Sequence, residues 1–90
     1  MGKQEYIPSK YLKKAKILGQ TVTDVDKNRD FPRECAFMGV YKENKGKFII
    51  PRGDYEFEEN DHVFLISKSQ YIKPATDFMI KPEKRFLRKK

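Results

Sequence analysis

Phe48-Ile49-Ile50-Pro51-Arg52-Gly53-Asp54, followed by Asn60-Asp61-His62-Val63-Phe64-Leu65-Ile66, decides the reading of this 90-residue chain. Lys47–Ile50 is a short strand that Pro51 closes, because proline fixes φ and removes a ladder donor. Gly53 suits a backbone conformation that a β-carbon would resist, and Asp54 can accept bonds from amides of the turn. Tyr55 and Phe57 then alternate with Glu56 and Glu58 as a half-buried edge. Glu59–Asp61 turns again, with Asn60 suited to a left-handed conformation. His62–Ile66 follows as a strand whose continuous apolar run predicts a central position.

Upstream, Cys35–Tyr41 is apolar, too short for a globular helix and flanked by charges, which predicts a buried strand. Glu43-Asn44-Lys45-Gly46 is turn chemistry, with Gly46 able to supply a positive φ, so residues 35–50 form a β-hairpin. Gly39 inside the first strand predicts a bulge or the close approach of another backbone. Earlier still, Thr21 stands three residues before Asp24, a weakened capping box for a short helix over about 22–26. Pro8 and Pro32 keep helices out of Ile7 and Phe31, and Glu5–Ile7 can hold a short extended piece. Downstream, Ser67-Lys68-Ser69-Gln70 has the spacing of a capping box. A helix through about Met79 should place Tyr71, Ile72, Ala75, Phe78 and Met79 on one face, with a kink or restart at Pro74. The fold class is therefore α+β: a small antiparallel sheet of three to four strands, a short early helix and a C-terminal helix. Residues 1–16 are expected as an extension, linker or interface strand, 17–80 as the domain, and 81–90 as a basic tail.

Ninety residues make one domain with a thin core. A single cysteine excludes an intramolecular disulfide and a Cys-rich zinc site. A lone thiol with no leader-like apolar stretch makes a reducing, cytoplasmic setting the expectation. No run approaches the roughly 18–20 apolar residues of a membrane span. Residues 81–90 hold six basic residues against Glu83 and supply +5 of the net charge of +7. The charge is thus a terminal feature and not a stripe across the domain. It can meet nucleic acid, an anionic membrane or an acidic partner, or serve as a solvated end.

The order Gly19-Gln20-Thr21-Val22-Thr23-Asp24-Val25, hairpin, Ile50-Pro51-Arg52-Gly53-Asp54, Asn60-Asp61, Val63–Ile66 and helix resembles the TrkA C-terminal domain. The resemblance covers about residues 17–79 of the chain. This is the C-terminal half of the RCK units that regulate potassium conductance. Asn60-Asp61 stands where the family usually has Gly-Asp, and Lys42 where many members carry arginine. The resemblance implies a cytoplasmic, membrane-peripheral regulatory module of a potassium transporter or channel, dimeric and built into a ring-like gating assembly, with an octameric ring left open. It implies NAD or another nucleotide on a partner Rossmann subunit, because this chain has no Gly-x-Gly-x-x-Gly. A stand-alone C-terminal subunit and a domain of a longer protein both remain open. Some members bind cyclic di-AMP with an aliphatic-Asn pair at the start of the first hairpin strand. Cys35-Ala36 stands there instead, which puts that ligand in doubt.

Candidate sites are few. Arg52 and Asp54 on the rigid corner are the candidate ligand-binding pair, able to clamp a phosphate or partner carboxylate; the alternative is a surface ion pair in a structural turn. Cys35 reads as a small buried residue, lacking a base within reach. His62 beside Asp61 reads as a surface turn histidine, with no second or third ligand for a metal. The acidic residues show no EF-hand spacing. Aromatics are numerous for so small a core, and Tyr41, Phe48, Tyr55, Tyr71 and Phe78 are the candidate interface residues. No constellation supports catalysis. The competing reading is a small basic nucleic-acid-binding domain, against which the strands lack basic–aromatic alternation.

Overall fold

The computed structural model describes residues 2–81. Strand β1 is Lys3–Ile7, helix α1 Val22–Lys27, β2 Ala36–Lys42, β3 Lys47–Ile49, β4 Asp61–Ser67 and α2 Ser69–Ile80, with short 3-10 turns at Ser9–Tyr11 and Glu43–Lys45. The strands form one sheet in the order β1-β4-β2-β3, and every pairing is antiparallel. The α+β class and the inner position of β4 follow the sequence reading. Residues 3–16 are integral to the fold: β1 pairs with β4 from Lys3↔Ser67 to Ile7↔Val63, and Leu12 and Ala15 are buried in the core. The basic tail beyond Lys81 lies outside the described residues.

Period-two alternation sorts the sheet into two unlike faces. On the inner face Ile7, Val40, Val63 and Leu65 pack with Ala75, Phe78 and Met79 of α2 and with Leu12, Ile17, Val25, Phe31, Cys35 and Phe57 from the connecting segments. On the outer face the register aligns Tyr6 with Phe64, Phe64 with Gly39, Tyr41 with His62, and Tyr41 with Phe48. Tyr6, Tyr41, Phe48 and Ile66 remain exposed there.

Local chemistry explains the elements. Thr21 caps α1 in a reciprocal box: the Asp24 amide donates to Thr21 Oγ1 at 3.1 Å and the Thr21 amide to Asp24 Oδ2 at 3.1 Å. The hairpin closes through Gly46 at φ 58°. A register shift between Phe37 and Gly39 confirms the expected bulge. What approaches Gly39 is a side chain and not a backbone: a β-carbon there would sit 2.1 Å from Cζ of Phe48.

Five expectations are corrected. Asn60 is not left-handed, since no non-glycine among the described residues has a positive φ; the turn closes by the Asp61 amide donating to the Glu58 carbonyl at 3.1 Å. Gly53 has no positive φ either, and its constraint is space, because a β-carbon would lie 2.6 Å from Thr23 Oγ1. Ser67–Gln70 is not a capping box: Ser67 ends β4, and Lys68 is the N-cap without a side-chain bond. Helix α2 runs as one element through Pro74, so the helix does not restart there. Residues 55–58 form no strand; beside one isolated bridge, Thr21↔Glu56, they are held by the Phe57 amide donating to the Gln20 carbonyl and the Gly19 amide to the Phe57 carbonyl, each at 3.0 Å.

Candidate interaction surface and the polar knot beneath it

Lys42 and Asp61, at adjoining ends of β2 and β4, are register partners on the inner face, and both are buried. Asp61 is only 1% exposed. Lys42 Nζ donates to Asp61 Oδ1 at 2.8 Å, to Glu58 Oε1 at 3.0 Å and to the Tyr55 hydroxyl at 2.6 Å. All three ammonium donors are thereby used. The Tyr55 hydroxyl donates to Asp61 Oδ2, which also accepts the Glu58 amide at 2.9 Å. Burial by itself disfavours the Lys42 cation, but its bonds to Asp61, Tyr55 and Glu58 outweigh that and hold its pKa above the ordinary lysine value. Burial and the hydrogen bond to Asp61 push Tyr55 up to about 12. The Lys42 and Tyr55 donors of this knot are all engaged within it, its one largely exposed group is the Glu58 carboxylate, and it ties β2 and β4 to the 55–58 segment.

The Pro-Arg-Gly-Asp corner has a structural task. The amides of Val22 and Thr23 donate to the Tyr55 and Gly53 carbonyls, each at 3.0 Å. With the capping box, every first-turn donor of α1 is engaged, so that helix start offers nothing to an anion. Arg52 and Asp54 are both exposed, and among the described residues neither joins an ion pair. The corner therefore presents them without converging them on a site.

Other sequence candidates fall into place around this frame. Cys35 is buried, and burial pushes its thiol pKa up, the opposite of an activated nucleophile. His62 lies within β4 and not in a turn. Its Nδ1 accepts from the Ser9 amide at 3.1 Å and the Tyr6 hydroxyl at 2.9 Å, while its Nε2 faces Glu43 Oε1 at 2.9 Å. Those bonds select the Nε2–H tautomer. Among the described residues no three His, Cys, Asp or Glu side chains gather to hold a metal ion. A groove of about 570 Å³ along the end of α1 is lined by Asp26, Lys27, Asn28, Arg29, Phe31 and Arg33, a rim of mixed sign with no buried polar group aimed into it.

The five aromatic candidates divide. Phe78 is core, meeting Phe31 edge-on at 5.8 Å with Lys16 Nζ 4.4 Å from its ring. Tyr55 is bound into the knot, and Tyr71 is half-buried on α2. Tyr41 and Phe48 lie on the outer face with Tyr6, which the sequence reading omitted. There Tyr6 packs on Phe64 at 4.8 Å, Phe48 on Phe64 at 5.6 Å and Tyr41 on His62 at 5.8 Å. Tyr6 was recoverable from the sequence, since it precedes buried Ile7 and alternation puts the two on opposite faces.

A comparison with curated proteins returns no match. A family model, the TrkA-C domain, matches residues 12–79, which include every element from α1 to the last full turn of α2. By that match, and with a sheet, corner and terminal helix in the expected order, the chain belongs to the TrkA-C domain family.

Proposed function

We propose that this chain is a non-enzymatic regulatory and assembly module of a potassium transport system, acting at the cytoplasmic side of the membrane. One observation carries the reading: in a TrkA-C domain whose buried charges are closed on each other in the Lys42–Asp61 knot, the sheet face left open among the described residues is apolar. Such a surface transmits force between subunits and offers no means of making or breaking bonds. The chain dimerises within a ring-like gating assembly and pairs with a Rossmann subunit that holds NAD or another nucleotide. That assembly bears on a potassium-translocating membrane protein. Arg52 and Asp54, rigid and exposed on the corner, are contact points for such a partner. Ala36 offers no amide where cyclic di-AMP-binding members carry asparagine, which argues against that ligand. No helix among the described residues is long and apolar enough to cross a membrane.

The test is rubidium or potassium uptake in cells lacking this chain, with and without its reintroduction. Restored or altered uptake supports the reading. Unchanged uptake, with a potassium-limited growth phenotype also absent, overturns it. The nucleic-acid alternative gains nothing from the fold, because the open face carries aromatics without cations among them.

A further inference from the structure

We infer that the lysine-rich turns over residues 10–16 and the end of α2, continued by residues 81–90, form a basic and apolar surface that rests on an anionic bilayer. The inference rests on the membrane-side reading above for its setting, and its chemistry comes from residues that reading does not use.

The charge of the chain is unevenly placed. Residues 6–23 hold four lysines and no acid, and residues 81–90 hold six basic residues and Glu83. Together they carry +9, so the rest of the chain carries −2 toward the net +7. The fold brings the two segments together. Leu12 and Ala15 are buried, which leaves Lys10, Lys13 and Lys14 of the same turns exposed and, among the described residues, outside any ion pair. Pro82 keeps Lys81 out of the helical region, and Lys81 leaves α2 extended, at φ −64° and ψ 134°. Its carbonyl accepts the Lys16 amide at 2.8 Å, which fixes the start of the basic tail beside the lysine turns. Glu5, Asp30 and Asp77 border the clefts at this end of α2, and Asp77 is paired with Lys73 at 3.1 Å. The ten cations of the two segments outweigh these acids and Glu83.

Apolar groups stand among the cations. Tyr11 is 53% and Ile80 36% exposed, and both border one cleft of about 160 Å³. Phe86-Leu87 lies between Arg85 and Arg88 in the sequence. A lipid headgroup layer takes both kinds of group at once. Ammonium groups meet lipid phosphates, aliphatic side chains reach the acyl boundary, and tyrosine keeps its ring apolar-side and its hydroxyl wet. Nucleic acid fits the set less well, because base stacking needs bare aromatic faces along a groove. Lys10 Nζ already lies 5.2 Å from the centre of the Tyr11 ring, and Ile80 and Leu87 offer a base no face. Each lysine or arginine held at an anionic surface strengthens binding about fivefold, provided it lies within a Debye length of about 8 Å at physiological salt.

Co-sedimentation of the full chain with vesicles of phosphatidylcholine, with and without phosphatidylglycerol, tests this at low and high salt. The variants are Lys10→Gln/Lys13→Gln/Lys14→Gln, Tyr11→Ser and, as a control of equal charge change, Lys27→Gln/Lys45→Gln/Lys47→Gln, all at exposed positions. Circular dichroism and urea midpoints establish that each is folded. Wild type is expected on the phosphatidylglycerol vesicles alone, and to leave them as salt rises. The lysine-turn variant should bind more than about tenfold more weakly and the control less than about threefold. Tyr11→Ser should weaken vesicle binding at every salt concentration. A wild type that ignores phosphatidylglycerol overturns the inference, as does a control that loses as much as the lysine-turn variant. Vesicle binding indifferent to Tyr11→Ser, or an oligonucleotide that strips the chain from the vesicles at equal charge concentration, also overturns it. None of these readouts involves a transport protein, so failure here is distinct from an unchanged uptake phenotype.

Discussion

Replacing Lys42 by methionine keeps the length and apolar stem of the side chain and deletes only its ammonium. Asp61 would then stand 1% exposed with the Tyr55 hydroxyl and the Glu58 amide as its remaining partners, and without a counter-charge. Removing one member of a buried ion pair costs about 3–5 kcal/mol, because the other charge stays desolvated. A chain of this size has roughly 5–13 kcal/mol of total stability, so about a quarter or more of it would go. With a urea dependence of about 1–2 kcal/mol per molar, the unfolding midpoint at pH 7 should fall by on the order of 2–3 M. The double variant Lys42→Met/Asp61→Leu removes both charges and should recover most of that loss. Equilibrium urea unfolding followed by circular dichroism reads all three proteins. A Lys42→Met loss below about 1 kcal/mol, the ordinary worth of a surface pair, would refute the claim that the knot holds β2 and β4 together.

Other outcomes follow from the same geometry. Tyr55, pushed up to about 12 from its ordinary 10.0, favours the folded state in its protonated form. Lys42, also raised, acts in the same direction. Their contributions are complete below the unfolded values and drain away as pH rises through the folded ones. Stability should therefore fall from about pH 10 upward, with the phenolate absorbance of Tyr55 appearing late; a Tyr55 that ionises near 10 would contradict the bond to Asp61. Gly53→Ala should cost about 1–3 kcal/mol through the contact at Thr23 Oγ1, and Thr23→Ala in the same chain should recover much of it. If that second substitution rescues nothing, the close-approach explanation fails. Thr21→Ala, which opens the α1 capping box, should cost about 1 kcal/mol in a urea titration; no measurable change would mean the corner carbonyls of Gly53 and Tyr55 hold the helix unaided.

Much of this was written locally in the chain. Thr21 and Asp24 specify the start of α1 because a hydroxyl and a carboxylate three residues apart can satisfy each other's amides. Gly46 marks the hairpin, and the apolar runs mark β2 and β4. The same local logic misled at Ser67–Gln70, where strand pairing to β1 holds Ser67 extended until Lys68. It also misled at Asn60, where backbone bonds close the turn without a left-handed residue. Asp61 read as part of a turn and Lys42 only as the place where many family members carry arginine, yet they share parity with Val40 and Val63, and that parity alone points them inward.

Alternation tells which side chains share a face; it cannot tell which face something will cover. That is why the elements, their order and the family pattern were determined by the sequence itself. Only the tertiary structure decided that Phe78 and Tyr55 are consumed inside while Tyr6, Tyr41 and Phe48 stay bare. Burial depends on where α2 and the long connections come to rest, and among the described residues these form one covering layer, on the inner side of the sheet.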